Sequence, residues 1–127
     1  MSYGISKTVT LPYQQAIEKV TEELKKEGFG VLTTIDVKDT LKKKLGVEFH
    51  NYMILGACNP PMAHKALLAE EQIGLLLPCN VIVYEKEGAT TVAAFDPLSM
   101  LALTAKEEMR PIAEEVGQRL ARVMERL

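Results

Sequence analysis

The chain has 127 residues, of which 47% are hydrophobic and 25% are charged. This length and composition are typical of one globular domain over residues 1–127, and they exclude a disordered chain. The formal net charge of −2 lacks the excess of lysine and arginine that phosphate-binding surfaces need, so we expect no nucleic-acid partner. No apolar run approaches the ~20 residues that span a bilayer, and no secretory signal is visible, so we expect a cytoplasmic protein without a membrane partner.

The first part of the chain predicts a strand, a helix and a second strand. Alternating side chains over residues 3–10 indicate a strand with one wetter face. Apolar residues at helical spacing over 12–27, ended by Gly28, predict an amphipathic helix with its Glu and Lys residues on the exposed side. The β-branched and apolar run over 29–37 predicts a well-buried strand, which a short helical turn closed by Gly46 follows.

The middle of the chain predicts three more strands and a helix. Residues 49–55 predict the third strand, and two consecutive prolines then begin a helix over about 60–71. Residues 79–84 and 90–95 predict the fourth and fifth strands, joined by a hairpin turn. This order predicts an α+β domain in which about five strands form one sheet with helices packed on it.

The C-terminal part predicts helices only. Asp96 and Pro97 together form a helix-start signal, because an aspartate caps the first turn and a proline fits within it. Pro111 lies too far along to be accommodated inside one continuous helix, so it marks a kink or a fresh start. An apolar stripe then continues to the end of the chain.

The two cysteines define the candidate site. Cys58 follows the third strand and Cys79 begins the fourth, and each is followed by an asparagine, Asn59 or Asn80. The connection between the cysteines contains a helix and allows two geometries. If the two strands are antiparallel neighbours, the cysteines lie at the same end of the sheet. If the helix is a right-handed crossover between parallel strands, they lie at opposite ends.

The antiparallel geometry also brings Asp96 to the cysteine end and puts His64 one turn into the intervening helix. A cysteine just before a helix lies at the positive end of the helix dipole, which stabilises a thiolate. Asparagine can cap a helix or donate its amide to a ligand, and histidine can accept a proton. The candidates for a ligand-binding or thiol site are therefore Cys58, Asn59, His64, Cys79, Asn80 and Asp96.

Each candidate also has a structural interpretation. A free cysteine often packs as a small hydrophobic residue, and asparagine and aspartate often cap turns and helices. Cys58, Cys79 and His64, with Asp96, include zinc-ligating side chains but lack the paired spacing of zinc sites, so no metal ligand is assigned. No phosphate-binding loop, dinucleotide motif or nucleophile elbow names a cofactor. A hydrolase or isomerase that uses Asp96 and His64 is the weakest alternative.

Three segments of the chain resemble a known family. They read G-F-G-V-L-T-T-I-D-V-K-D-T-L-K-K-K-L-G over 28–46, Y-M-I-L-G-A-C-N-P-P-M-A-H-K-A-L over 52–67 and I-G-L-L-L-P-C-N-V-I-V-Y-E over 73–85. These segments resemble the domain of unknown function 302 family. The resemblance implies a bacterial or archaeal protein with a β-α-β(4)-α arrangement, similar to the TATA-box-binding-protein class, and an antiparallel sheet. Its signature residues correspond here to Gly28, Gly30, Asp36, Gly56, Cys58, Asn59, Pro60, Pro78, Cys79, Asn80 and Asp96.

Two functional hypotheses follow. The first is a site at Cys58 and Cys79 that binds a small molecule or a metal, or that carries out thiol redox chemistry. The second is a non-catalytic homodimeric module with structural cysteines, whose sheet face or helix surface binds a partner. The sequence does not decide whether any reaction is catalysed.

Overall fold

Five strands form one antiparallel sheet in the computed structural model, which describes residues 3–127. The strands are β1 (Gly4–Val9), β2 (Gly30–Asp36), β3 (Tyr52–Cys58), β4 (Cys79–Lys86) and β5 (Ala89–Phe95). Their order across the sheet is β1-β5-β4-β3-β2, and each neighbouring pair is antiparallel. The predicted α+β class with a five-stranded antiparallel sheet is confirmed, and the parallel alternative for the third and fourth strands is wrong.

The helices elaborate the β-α-β(4)-α order, because short helices are inserted between the strands. Within residues 3–127 they are α1 (Tyr13–Lys26), α2 (Val37–Leu45), α3 (Pro60–Ala69), α4 (Ser99–Thr104) and α5 (Arg110–Glu125), with 3-10 helices at Glu71–Leu76 and Glu107–Met109. Pro111 lies in the first turn of α5, where its missing amide hydrogen leaves no intrahelical bond unmade. It therefore marks a fresh start and not a kink.

One face of the sheet carries the hydrophobic core, and α1 and α5 pack on it. Val20 and Leu24 of α1 and Leu120 of α5 are fully buried, and they belong to one cluster with Val83 and Val92 of the central strands. Successive residues of a strand point to opposite faces, so the neighbours of these valines lie on the other face. That face, the open face, keeps partly exposed side chains.

Strand β2 is not the well-buried strand that the sequence predicts. It lies at the edge of the sheet and pairs only with β3. All of its residues except Val31 are exposed, and Leu32 and Ile35 are 67% and 48% exposed. A β-branched apolar run indicates a strand because it suits an extended backbone, but it does not say whether the strand lies at the centre of the sheet or at its edge.

Two buried carboxylates at the end of α1 form ion pairs, and those of Glu27 reach α5, although the sequence predicts that the charged residues of α1 lie on its exposed side. Glu23 is 1% exposed, and its Oε2 accepts hydrogen bonds from Lys26 at 2.9 Å and Lys19 at 3.2 Å. Glu27, just after α1, accepts hydrogen bonds from Arg122 Nε at 3.0 Å and Arg126 Nη1 at 2.8 Å. These two arginines hold the pKa of Glu27 below its ordinary value.

The lowered pKa of Glu27 predicts a loss of stability in acid. A carboxylate whose pKa is lower in the folded state contributes stability above its unfolded pKa, and this contribution is lost as the pH falls through the folded value. We therefore expect Glu27→Gln to lower the free energy of unfolding at about pH 7 and to flatten its decline towards about pH 3. Denaturant unfolding at several pH values measures both effects, with Glu22→Gln on the exposed side of α1 as the control. An equal effect of the two substitutions would contradict the prediction.

The close packing around Gly56 of β3 predicts that a side chain added at this position lowers the stability of the protein. A Cβ atom at this position would overlap Thr33 Oγ1 of β2 and lie 2.9 Å from Cγ of Pro78. We expect Gly56→Ala to destabilise the protein by about 1–3 kcal/mol, because overpacking forces the neighbouring atoms apart. Gly30 is the matched control, since a Cβ atom there meets nothing within 4 Å. Thermal or denaturant unfolding that finds Gly30→Ala as harmful as Gly56→Ala would show that the overlap is not the cause.

Candidate functional site

The register of β3 with β4 brings the two cysteines to the same end of the sheet. Ala57 pairs with Cys79, and on the other side of β3 Cys58 pairs with Gly30. Cys58 is therefore the last residue of its strand and Cys79 the first of the next, offset by one position across the ladder. The helix between them packs on the core through Ala66.

Helix α3 begins immediately after Cys58, and Asn59 caps it. Asn59 is 6% exposed, and its Oδ1 accepts a hydrogen bond from the backbone N–H of Met62 at 3.3 Å. The prolines at 60 and 61 occupy the first turn, where a backbone N–H has no intrahelical partner. The sequence C-N-P-P thus makes an abrupt change from strand to helix, which fixes where Cys58 lies.

Both cysteines line a pocket between the end of the sheet and the helices. We call it the thiol pocket, and its volume is about 40 Å³. Apolar atoms form nearly all of its surface. Its lining residues come from the sheet end, from α3 and from the C-terminal helices: Phe29, Ala57, Cys58, Asn59, Met62, Ala63, Ala66, Leu77, Pro78, Cys79, Pro97, Met100, Ile112, Ala113 and Val116.

The two thiols differ in exposure and in chemistry. Cys79 is 7% exposed, whereas Cys58 is partly exposed. Burial raises the pKa of the Cys79 thiol to about 11, and the nearby Cys58 adds to the shift. Cys79 is therefore a neutral thiol at physiological pH, and it lacks the thiolate that nucleophilic attack requires.

Asn80 does not join the thiol pocket. It follows Cys79 within β4, so its side chain points to the opposite face of the sheet and is exposed there. It pairs with Gly56 and lines a shallow concavity of about 270 Å³ on the open face, together with Tyr52, Ile82 and Phe95. The repeated Cys-Asn motif thus places its two asparagines in different surroundings.

Asp96 and His64 lie near the pocket without lining it. Asp96 follows β5 at the cysteine end, and its Oδ1 accepts a hydrogen bond from the Leu98 N–H at 3.0 Å. It therefore shapes the turn before α4, as its structural interpretation predicts. His64 is exposed on α3, whereas Met62 and Ala66 of the same helix face the pocket. Neither residue has the position of an acid or base for chemistry at the thiols.

The thiols also lack the neighbours of a metal centre. Within residues 3–127, no three side chains of His, Cys, Asp or Glu come close enough together to hold a metal ion. The zinc alternative needed His64 beside both cysteines, and the outward orientation of His64 on α3 removes that ligand.

Gly28 supports the pocket from outside. Its φ of +86° belongs to the left-handed region, and a Cβ atom there would lie 3.1 Å from both Asn59 Nδ2 and Arg119 Nη1. Arg119 Nη1 also donates a hydrogen bond to the Glu27 carbonyl at 3.0 Å. The turn after α1, the cap of α3 and the side of α5 are thus packed together where Phe29 enters the pocket wall.

Sequence reasoning missed the wall that the C-terminal helices contribute. Met100, Ile112, Ala113 and Val116 line the pocket, although they lie far from both cysteines in the chain. The apolar stripe of α5 signalled a buried face. Nothing in its spacing indicated that part of this face meets the thiols and not the centre of the sheet.

Comparisons with known proteins agree with this fold. The model of the domain of unknown function DUF302 family matches residues 5–127, and the chain belongs to that family. A crystal structure of an uncharacterized conserved DUF302 protein from Bacillus stearothermophilus is similar, with a TM-score of 0.92 and 31% sequence identity over 99% of this chain and 98% of that chain. No curated protein matches. None of the helices in residues 3–127 combines the length and the hydrophobicity needed to cross a membrane.

The different surroundings of the two thiols predict unequal reactivity. With a thiol-specific disulfide reagent at about pH 8, we expect Cys58 to react first and Cys79 roughly two orders of magnitude more slowly, because little of Cys79 is ionised. The Cys79 rate should rise with pH towards its pKa of about 11. Cys58→Ser should remove the fast phase, and denaturant should release the slow one. Two thiols that react at the same rate in the folded protein would contradict this assignment.

Proposed function

We propose that the protein binds a small, mostly apolar ligand in the thiol pocket. The observation that carries the proposal is that both cysteines line one apolar cavity at the end of β3 and β4. Ligand sites in proteins are concave and mostly apolar, with a few polar groups that orient the ligand. The thiols are the groups of this kind here, since a thiol is a weak donor, a weak acceptor and easily polarised.

The chemistry of Cys79 favours binding over redox catalysis. Its raised pKa keeps the thiol neutral, so it contacts a ligand as a polarisable apolar group and not as a nucleophile. Cys58 is partly exposed and lies at the beginning of α3, which makes it the thiol that an entering molecule meets first. The pair therefore suits recognition of a soft or apolar group, with Cys58 at the outside and Cys79 inside.

The size of the pocket limits the ligand. A volume of about 40 Å³ accepts only a group of a few atoms. Met62 of α3 and Met100 of α4 both line the pocket, and methionine side chains are flexible enough to change the shape of a cavity. A ligand larger than a few atoms would have to displace these two side chains, so we propose a small molecule or the apolar end of a longer one.

Xenon is a suitable probe of the pocket, because it is polarisable and enters small apolar cavities. We expect dissolved xenon to shift the amide resonances of residues around Cys58 and Cys79. Ala63→Leu should fill the pocket from α3 and weaken xenon binding by roughly tenfold or more. Ala102→Leu, on the exposed side of α4, is the matched control and should bind as the wild type does.

Two results would overturn the proposal. The first is the absence of xenon shifts around the thiols, and the second is an equal response in the Ala63→Leu variant. If xenon binds as expected, the same resonances report binding of small apolar compounds. Protection of Cys58 against the thiol reagent then gives an independent measure of occupancy.

A second candidate is a homodimeric interaction module in which the cysteines are structural. The observation that favours it is the uncovered apolar surface of the sheet. On the open face the rings of Tyr52 and Tyr84 stack with centroids 5.5 Å apart, and the exposed Ile35 belongs to the same face. Light scattering that gives the mass of one chain at every concentration would exclude this candidate.

A further inference from the structure

Strand β2 leaves one edge of the sheet without a partner among residues 3–127. It pairs with β3 on one side only, so the backbone groups on its other side point away from the sheet. An irregularity between Val31 and Thr33 interrupts the ladder, and from Thr33 to Asp36 the register with β3 is regular. A free edge of this kind is a template for another strand.

Exposed apolar side chains concentrate in β2 and in the segment that follows it. Of the eleven large hydrophobic residues that are exposed in residues 3–127, five lie between positions 30 and 49. These five are Leu32, Ile35, Leu45, Val47 and Phe49. By contrast, β1 at the opposite edge contains no exposed large hydrophobic residue over Gly4–Val9. Of the five, Leu32 and Ile35 belong to the edge strand itself, and the other three lie at the end of α2 and in the loop after it.

Helix α2 follows β2 and has no buried residue. It contains nine residues, and isolated helices of that length are only marginally stable in water. Asp36 caps it by accepting a hydrogen bond from the Asp39 N–H at 3.0 Å, and Gly46 ends it in the left-handed conformation. These end interactions define the helix, and its hydrophobic packing is limited to partly buried residues such as Val37 and Leu41.

The edge lacks two features that protect natural sheet edges from association, a lysine and a proline, and its irregularity is confined to the segment between Val31 and Thr33. Proteins place lysine or proline in exposed edge strands to prevent pairing with another chain. The β2 sequence G-V-L-T-T-I-D contains neither, and its single charge, on Asp36, is engaged in the cap of α2. Two copies of residues 30–35 would therefore meet without like charges in opposition.

We propose that a second copy of the chain docks on this edge, with the two β2 strands paired antiparallel about a two-fold axis. This inference rests on the homodimeric candidate above and gives that candidate its surface. About a two-fold axis each copy presents the same surface to the other. A neutral strand can therefore meet its own copy without repulsion between like charges. The seven residues of β2 extend for about 23 Å. Contact along this one strand alone buries less than the ~800 Å² per partner of a stable interface. The exposed residues of α2 and the following loop supply the remaining area.

Charge placed on the edge tests the proposal. Leu32 is 67% exposed, so Leu32→Lys should leave the fold of a single chain intact while introducing the charge that prevents strand pairing. We expect the wild-type protein to have twice the chain mass of 14.1 kDa in light scattering and the variant to have half of the wild-type value. The matched control is Leu75→Lys, because Leu75 is 85% exposed and lies in the 3-10 helix after α3.

Hydrogen exchange provides the second measurement, since it reports the backbone of β2 directly. In the wild type, amides within residues 33–36 should exchange more slowly as the protein concentration rises, and in Leu32→Lys this dependence should disappear. A dimer that persists in Leu32→Lys would overturn the β2 interface but leave the homodimeric candidate standing. A wild-type protein with the mass of one chain at all concentrations would overturn both. A dimer dissociated equally by Leu75→Lys would also exclude the β2 edge as the specific surface.

Discussion

The register between β3 and β4 is the constraint on which the rest of the structure depends. Pairing Ala57 with Cys79 makes β3 end where β4 begins, so the chain between them has to leave and re-enter the sheet at one end. Helix α3 makes this connection, and the cap at Asn59 sets its direction from the first turn. The thiol pocket is the space that remains between this connection, the sheet end and the C-terminal helices.

The alternation of side chains along β4 divides the sheet into two faces with different surroundings. Cys79 belongs to the core face and Asn80 to the open face, although they are neighbours in the chain. The proposed ligand site lies on the helix-covered side, whereas the proposed contact between copies lies along the β2 edge. The two proposals therefore use different parts of one sheet, and each can fail without the other.

Much of the fold followed from sequence patterns, because periodicity and end signals are local. The helix at α1 and the hairpin of β4 and β5 are of this kind. At Pro111 the sequence allowed a kink or a fresh start, and the structure has the fresh start. The site was harder to predict. The cysteines were found from their motif, but the opposite faces of Cys79 and Asn80 were overlooked, and the contribution of α5 depends on packing between distant segments. The prediction that β2 is well buried was wrong for a related reason, since a strand's place in a sheet is decided by its neighbours.

The pairing of β1 with β5 has a consequence for how the chain folds. Gly4 pairs with Phe95, and Lys7 of β1 donates hydrogen bonds to the carbonyl oxygens of Met124 and Leu127. β1 therefore cannot pair with β5 before residues 89–95 have been synthesised, and Lys7 cannot make its two hydrogen bonds before residues 124–127 have been. Local units such as the hairpin of β4 and β5 can form earlier, because closing a long loop costs more entropy than closing a short one.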